Sequence, residues 1–111
     1  MSKLKVLTLN VFFGETERLR RAHALVDRIL SEAPDVAALQ EVTQEVGVVV
    51  DSQLAREYHV LFEPDMGPLK PSGTCLLVAR SRWPAAPALL HHHVLPGTDM
   101  DRTLFAASLT L

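Results

Sequence analysis

The chain has 111 residues, of which 48% are hydrophobic and 22% are charged, and its formal net charge is −2. This composition is typical of one folded domain and excludes an intrinsically disordered chain, which combines low hydrophobicity with high net charge. The small negative charge gives no positive field over the whole molecule, so any contact with nucleic acid must be local. The single cysteine, Cys75, excludes an internal disulfide and a paired-cysteine metal motif.

The N-terminal segment lacks the features of a signal peptide, because its apolar part is short and contains Asn10 and Gly14. No stretch approaches the ~18 apolar residues of a membrane-spanning helix. Together with the low cysteine content, this predicts a protein of a reducing compartment, and we expect it to be cytoplasmic.

The first half of the chain predicts a strand, a helix and a second strand. Residues 3–10 read KLKVLTLN and become apolar on both faces, which predicts a strand covered on both sides. Residues 15–33 carry apolar side chains at helical spacing, and Thr16 is the predicted N-cap. Residues 36–42, a short apolar run after Pro34, predict a buried strand. This order predicts a βαβ unit with a parallel pair of strands.

The second half predicts one more helix and then strands joined by short connections. The helix covers residues 43–57, and a Pro- and Gly-containing loop covers residues 63–73. Predicted strands cover residues 58–62, 74–79, 88–95 and 103–111. The sequence therefore predicts an α/β fold with a mixed sheet and helices on one side. The last predicted strand runs to Leu111 without a closing turn, so we expect the chain to be one part of a larger fold.

Two polar residues stand where predicted parallel strands end. Asn10 ends the first strand and Glu41 lies near the end of the second. The carboxyl ends of parallel strands meet at one edge of a sheet, where open α/β folds bind ligands. A glutamate there can supply a carboxylate oxygen to Mg²⁺, and an asparagine can orient a phosphate without adding charge. Taken alone, however, a glutamate at a strand end is more often a solvated or capping residue.

The order of these pieces resembles the opening of the endonuclease/exonuclease/phosphatase superfamily. In that family the first strand ends in Asn, a helix follows, and a Pro-Asp-apolar strand ends in Leu-Gln-Glu-Val. Here these elements stand as Asn10, Pro34-Asp35-Val36 and Leu39-Gln40-Glu41-Val42. The pair Glu17-Arg18 and the segments GTCLLVARS and DRTLFAASLTL resemble the 5'-tyrosyl-DNA phosphodiesterase branch.

The resemblance implies that residues 1–111 are the N-terminal portion of a four-layer α/β sandwich. It implies hydrolysis of a phosphoester or phosphodiester, with nucleic acid among the candidate substrates, and dependence on Mg²⁺ or alternatively Mn²⁺. By motif, Glu41 matches the family's metal-binding glutamate. Asn10 matches the active-site asparagine that lies near the phosphate and the metal-bound water.

The sequence departs from the family because the family's domain is considerably longer. Its later Asp-x-Asn motif and Asp-His pair have no match here. We therefore expect the isolated chain to have little or no activity. One alternative is a non-enzymatic binding or self-assembly module that uses the uncovered sheet, with a second copy or a complementing chain as partner. A truncated reading frame with no independent role is another.

Other polar and aromatic residues favour structural roles. The run His91-His92-His93 favours a polar edge strand over a metal site. Arg18 and Arg21 share one helix face, which we interpret as solvated. The remaining expectations are a packing role for His23, a partly exposed loop position for Trp83 and a buried thiol for Cys75.

Overall fold

The computed structural model describes residues 3–11, 14, 16–64, 72–97 and 103–110. In these residues the chain forms six strands and two helices. In chain order they are β1 (Val6–Asn10), α1 (Arg18–Glu32), β2 (Val36–Thr43), α2 (Gln44–Leu54), β3 (Tyr58–Phe62), β4 (Ser72–Ala79), β5 (Ala88–Val94) and β6 (Thr103–Ser108). Part of the predicted loop over residues 63–73, namely residues 65–71, lies outside the described residues.

Four strands form one mixed sheet in the order β1-β2-β4-β3. β1 runs parallel to β2, and β4 pairs antiparallel with both β2 and β3. β5 and β6 form a separate antiparallel pair. The predicted α/β fold, with a βαβ start and a mixed sheet, is confirmed.

Both helices pack on the same face of the four-stranded sheet. Alternate residues of β2, Ala37 and Leu39, are fully buried in one cluster with Cys75 and Leu77 of β4. The helices contribute residues at helical spacing to this cluster: Ala22, Leu25, Val26 and Ile29 from α1, and Val46, Val49, Val50 and Leu54 from α2. Complete burial of one such aliphatic side chain contributes about 1.5–3 kcal/mol to stability. The core therefore holds β1 and β2 in place beneath the two helices.

The expectation that the first strand is covered on both sides is wrong for this structure. β1 lies at the edge of the sheet, and the side chains of Val6 and Leu9 are 61% and 44% exposed. An apolar pattern on two faces does not by itself show that a second layer covers the strand.

The predicted N-cap at Thr16 is also wrong. α1 begins at Arg18, and Glu17 in the N-cap position has left-handed backbone geometry (φ 49°) without a side-chain cap hydrogen bond. Glu17 thereby interrupts the helical geometry between Thr16 and α1. At the other end, Ala33 is also left-handed, and its N–H donates to the Ile29 carbonyl oxygen at 2.8 Å.

No helix in the described part of the chain is long and apolar enough to cross a membrane.

Candidate active site at the ends of the parallel strands

Asn10 and Glu41 lie on neighbouring strands at the same edge of the sheet. Asn10 is the last residue of β1 and stands opposite Gln40 of β2, so Glu41 is one register position further along. The N–H of Val11 donates to the Gln40 carbonyl oxygen at 2.9 Å, which continues the pairing one residue past Asn10. Adjacent strands lie about 4.8 Å apart, so the two backbone positions belong to one small region.

A bulge in β2 determines how Glu41 is presented. Leu39 pairs with Cys75 and Val42 pairs with Gly73, so Gln40 and Glu41 together oppose a single residue of β4. Glu41 has left-handed backbone geometry, with φ 60°. In a regular strand Glu41 would follow Leu39 onto the helix-covered face, but the bulge gives that buried position to Val42. The Glu41 side chain stays half-buried instead of entering the core.

Polar contacts near the strand ends connect β1 and β2 on the face opposite the helices. The side-chain amide of Gln40 donates to the Thr8 hydroxyl oxygen at 2.9 Å and lies 3.2 Å from the Ala38 carbonyl oxygen. Within the described part of the chain, the Glu41 carboxylate forms no hydrogen bond or ion pair. Asn10 is exposed. The Gln40 side chain therefore links β2 to β1, whereas the Glu41 carboxylate is available to a ligand.

The donor atoms of these two residues are of the kind that a hard divalent cation binds. A carboxylate oxygen and an amide oxygen are the donors that Mg²⁺ prefers, and Mg²⁺ commonly takes only one or two protein carboxylates and keeps several waters. Mn²⁺ accepts the same oxygen donors. Among the described residues, no cluster of three or more His, Cys, Asp or Glu side chains could hold a metal ion. The fit consequently rests on Glu41 with Asn10 beside it.

The interpretation of Arg18 and Arg21 as a solvated helix face is wrong. Both guanidinium groups turn toward the connection between β1 and α1, and both donate to the Gly14 carbonyl oxygen. The distances are 3.4 Å from Arg18 Nε and 2.6 Å from Arg21 Nη2. Their proximity to the start of α1 explains this, because the side chains of the first helical turns reach back toward the preceding chain. Together with Asn10 they line a cleft of about 300 Å³ between β1 and α1.

Two other expectations also need correction. Trp83 is only 4% exposed, and its carbonyl oxygen lies 2.6 Å from Nε2 of the buried His59, which must donate because a carbonyl can only accept. The chain after β4 therefore folds Trp83 inward, which its Arg-Trp-Pro context does not indicate. His23 is exposed rather than packed, and its Nδ1 lies 3.1 Å from the side-chain nitrogen of Gln53.

The polar-edge interpretation of the histidine run stays a prediction, whereas the buried thiol is confirmed. The histidines lie in β5, which pairs with β6 in a two-stranded sheet, and Nε2 of His92 lies 3.9 Å from the buried carboxylate of Glu63. Cys75 is fully buried, as predicted. Burial, with a smaller contribution from the charge of Asp51, raises the pKa of its thiol to about 12. The thiol is thus protonated at neutral pH and is not a nucleophile.

Comparison with known proteins assigns the chain to a family. The model of the Endonuclease/Exonuclease/phosphatase family matches residues 7–109. A crystal structure of D. rerio TDP2 complexed with a single-strand DNA product is 26% identical, with a TM-score of 0.78. Truncated TDP2 from Caenorhabditis elegans (22% identity, TM-score 0.77) and an AP endonuclease from Archaeoglobus fulgidus (23% identity, TM-score 0.62) share the fold.

The three alignments cover 99%, 96% and 96% of this chain but only 42%, 41% and 37% of those structures. The chain thus spans less than half of the length of each. No curated protein matches the sequence significantly. Because the family model covers nearly the whole chain, the chain belongs to the endonuclease/exonuclease/phosphatase family.

Proposed function

We propose that residues 1–111 form the N-terminal portion of a divalent-metal-dependent phosphodiesterase. Glu41 is the metal ligand, and Asn10 orients the phosphate or the attacking water. The observation that carries this proposal is the register of β1 and β2, which puts the two residues one position apart at the carboxyl end of a parallel pair. The bulge that keeps Glu41 out of the core supports the same assignment.

The two side chains suit different parts of phosphodiester hydrolysis. A bound Mg²⁺ or Mn²⁺ supplies Lewis acidity toward a phosphoryl oxygen. Glu41 contributes the negative charge and the oxygen that hold such an ion at the sheet edge. Asn10 contributes an amide N–H that can donate to a phosphate oxygen and an amide oxygen that can accept from water.

The substrate class we propose is a nucleic-acid phosphodiester. Support comes from the D. rerio TDP2 structure, which was determined with a single-strand DNA product. With a formal net charge of −2, the chain has to bind such a strand through local contacts at the site rather than through a general positive field.

We also propose that the isolated chain has little or no activity. Phosphoryl transfer requires charge stabilisation and a positioned nucleophile together. Glu41 and Asn10 account for only part of such a site, and the Asp-x-Asn and Asp-His motifs of the family have no match in the sequence. The chain alone should therefore give no turnover of bis-p-nitrophenyl phosphate above the metal-only background.

Mn²⁺ binding to the chain tests the site. Paramagnetic broadening in ¹H–¹⁵N NMR spectra should be strongest for the amides of Asn10, Val11 and Glu41. Glu41→Gln should weaken Mn²⁺ binding by about tenfold or more, because it removes the charged ligand. Glu57→Gln is the matched control, since it removes the same charge at an exposed position between α2 and β3. Broadening that is unchanged in Glu41→Gln would contradict the assignment.

A specific observation favours a second function as a binding or self-assembly module. Leu4, Val6 and Leu9 are 54%, 61% and 44% exposed, and Val6 and Leu9 lie on the edge strand β1. Exposed apolar edges promote pairing with another chain. Association through this edge, without Mn²⁺ binding at Glu41, would distinguish this function from the enzymatic one.

A further inference from the structure

We infer that Arg18 is a positioning residue that joins the segment following Asn10 to the helix following Glu41. Its Nε donates to the carbonyl oxygen of Gly14 at 3.4 Å, and its Nη1 lies 3.4 Å from Oε2 of Glu45. Gly14 follows Asn10 by four residues, and Glu45 follows Glu41 by four residues. One guanidinium group therefore spans the two segments that leave the site. This inference rests on the proposed function.

The strands alone leave the geometry of the site incompletely determined. Asn10 stands at the last register position of the parallel pair, and Glu41 lies one residue beyond it, within a bulge. After Glu41, β2 pairs again with β4 at Val42 and Thr43, whereas the described backbone contacts of β1 with β2 end at the hydrogen bond from Val11 to Gln40. The tie through Arg18, from Gly14 to Glu45, lies beyond that last contact of β1.

Arginine suits this role because its planar fork presents several donors in fixed directions. Nε and Nη1 of Arg18 serve partners on two different elements. Arg21, one turn further along α1, reinforces the Gly14 end with a 2.6 Å hydrogen bond. A lysine has one ammonium group on a flexible stem and cannot hold both partners in the same planar geometry.

The tie acts on geometry more than on overall stability. The Arg18 and Glu45 side chains are 20% and 49% exposed, and their contact is long for a hydrogen bond. Partly exposed ion pairs of this kind contribute little to the free energy of unfolding. Removing the tie should consequently alter the site while leaving the melting temperature close to that of the unmodified chain.

The test compares Arg18→Gln with Arg20→Gln. Arg20 is the matched control, because it lies on the same helix and its side chain is 82% exposed. Among the described residues, its ion pair is the local one with Glu17 at 3.2 Å. Arg18→Gln should change the amide order parameters on both sides of the tie, at Val11 and Gly14 after β1 and at Glu41 and Val42 in β2. It should also lower Mn²⁺ affinity by about tenfold, the loss typical of disturbed support around a metal ligand. Arg20→Gln should change neither quantity.

Each outcome bears on the inference separately from the proposed function. Unchanged order parameters, or changes confined to the Gly14 side, would overturn the inference. Mn²⁺ binding that is insensitive to Glu41→Gln would overturn the proposed function, and the order parameters would still decide the role of Arg18. If Arg18→Gln does not fold, Glu45→Gln removes only the α2 end of the tie. That variant should lower the amide order parameter of Gly14, which lies at the other end of the tie. An unchanged order parameter at Gly14 would again overturn the inference.

Discussion

At the level of the single residue, Glu41 combines an unfavourable backbone conformation with a side chain that we propose binds a cation. Its left-handed backbone, with φ 60°, is unfavourable for a residue with a Cβ by about 1–2 kcal/mol. Glycine would adopt this geometry without that penalty, yet it has no side-chain oxygen that could bind a cation. Strained residues of this kind occur at functional sites, where the surrounding structure maintains them.

Replacing Glu41 separates the backbone strain from the carboxylate. Glu41→Gly should give a free energy of unfolding about 1 kcal/mol higher than Glu41→Ala, because both variants lack the carboxylate and only glycine relieves the φ of 60°. Urea denaturation followed by circular dichroism measures the difference. Equal stabilities of the two variants would show that the bulge imposes no strain at this position.

At the level of elements, β2 passes directly into α2 with no intervening loop. Thr43 ends β2, and its hydroxyl oxygen accepts from the N–H of Val46 at 3.2 Å as the N-cap of α2. Within α2, Gly47 weakens the helix by propensity, but a Cβ at this position would lie 3.1 Å from the Phe62 ring. The close approach of α2 to β3 thus explains a glycine that the sequence pattern leaves unexplained.

The cap of α2 is open to a direct test. Thr43→Ala should lower the free energy of unfolding by about 1 kcal/mol, because the buried N–H of Val46 loses its acceptor. Thr43→Ser keeps the hydroxyl and should recover most of that loss. Chemical denaturation of the three proteins gives the comparison, and an alanine variant as stable as the serine variant would argue against the cap.

At the level of the whole molecule, β1 is an edge strand of the four-stranded sheet that exposes apolar side chains on both of its faces. The helices cover one face of the sheet, whereas Val6 and Leu9 on β1 remain exposed. Strand edges that expose both apolar side chains and backbone hydrogen-bonding groups promote association.

Association through β1 is therefore expected at high protein concentration. Val6→Lys should reduce concentration-dependent association in sedimentation velocity experiments, because a charge on an edge strand opposes pairing with another chain. Val48→Lys is the control, since Val48 is 69% exposed but lies on α2, away from the edge. Equal association of the two variants would mean that β1 is not the contact surface.

Local sequence patterns determined the order of elements, the parallel start of the sheet and the pairing of Asn10 with the neighbourhood of Glu41. These features depend on periodicity, on Pro34 after the first helix, and on a motif of adjacent residues, all of which are readable along the chain. The left-handed geometry of Glu41, the inward fold of Trp83 and the contacts of Arg18 were decided only by the tertiary structure. Each depends on partners distant in sequence: β4 for the bulge, His59 for Trp83, and Glu45 for Arg18. A local pattern carries no information about such contacts, because they arise only when the sheet brings the segments together.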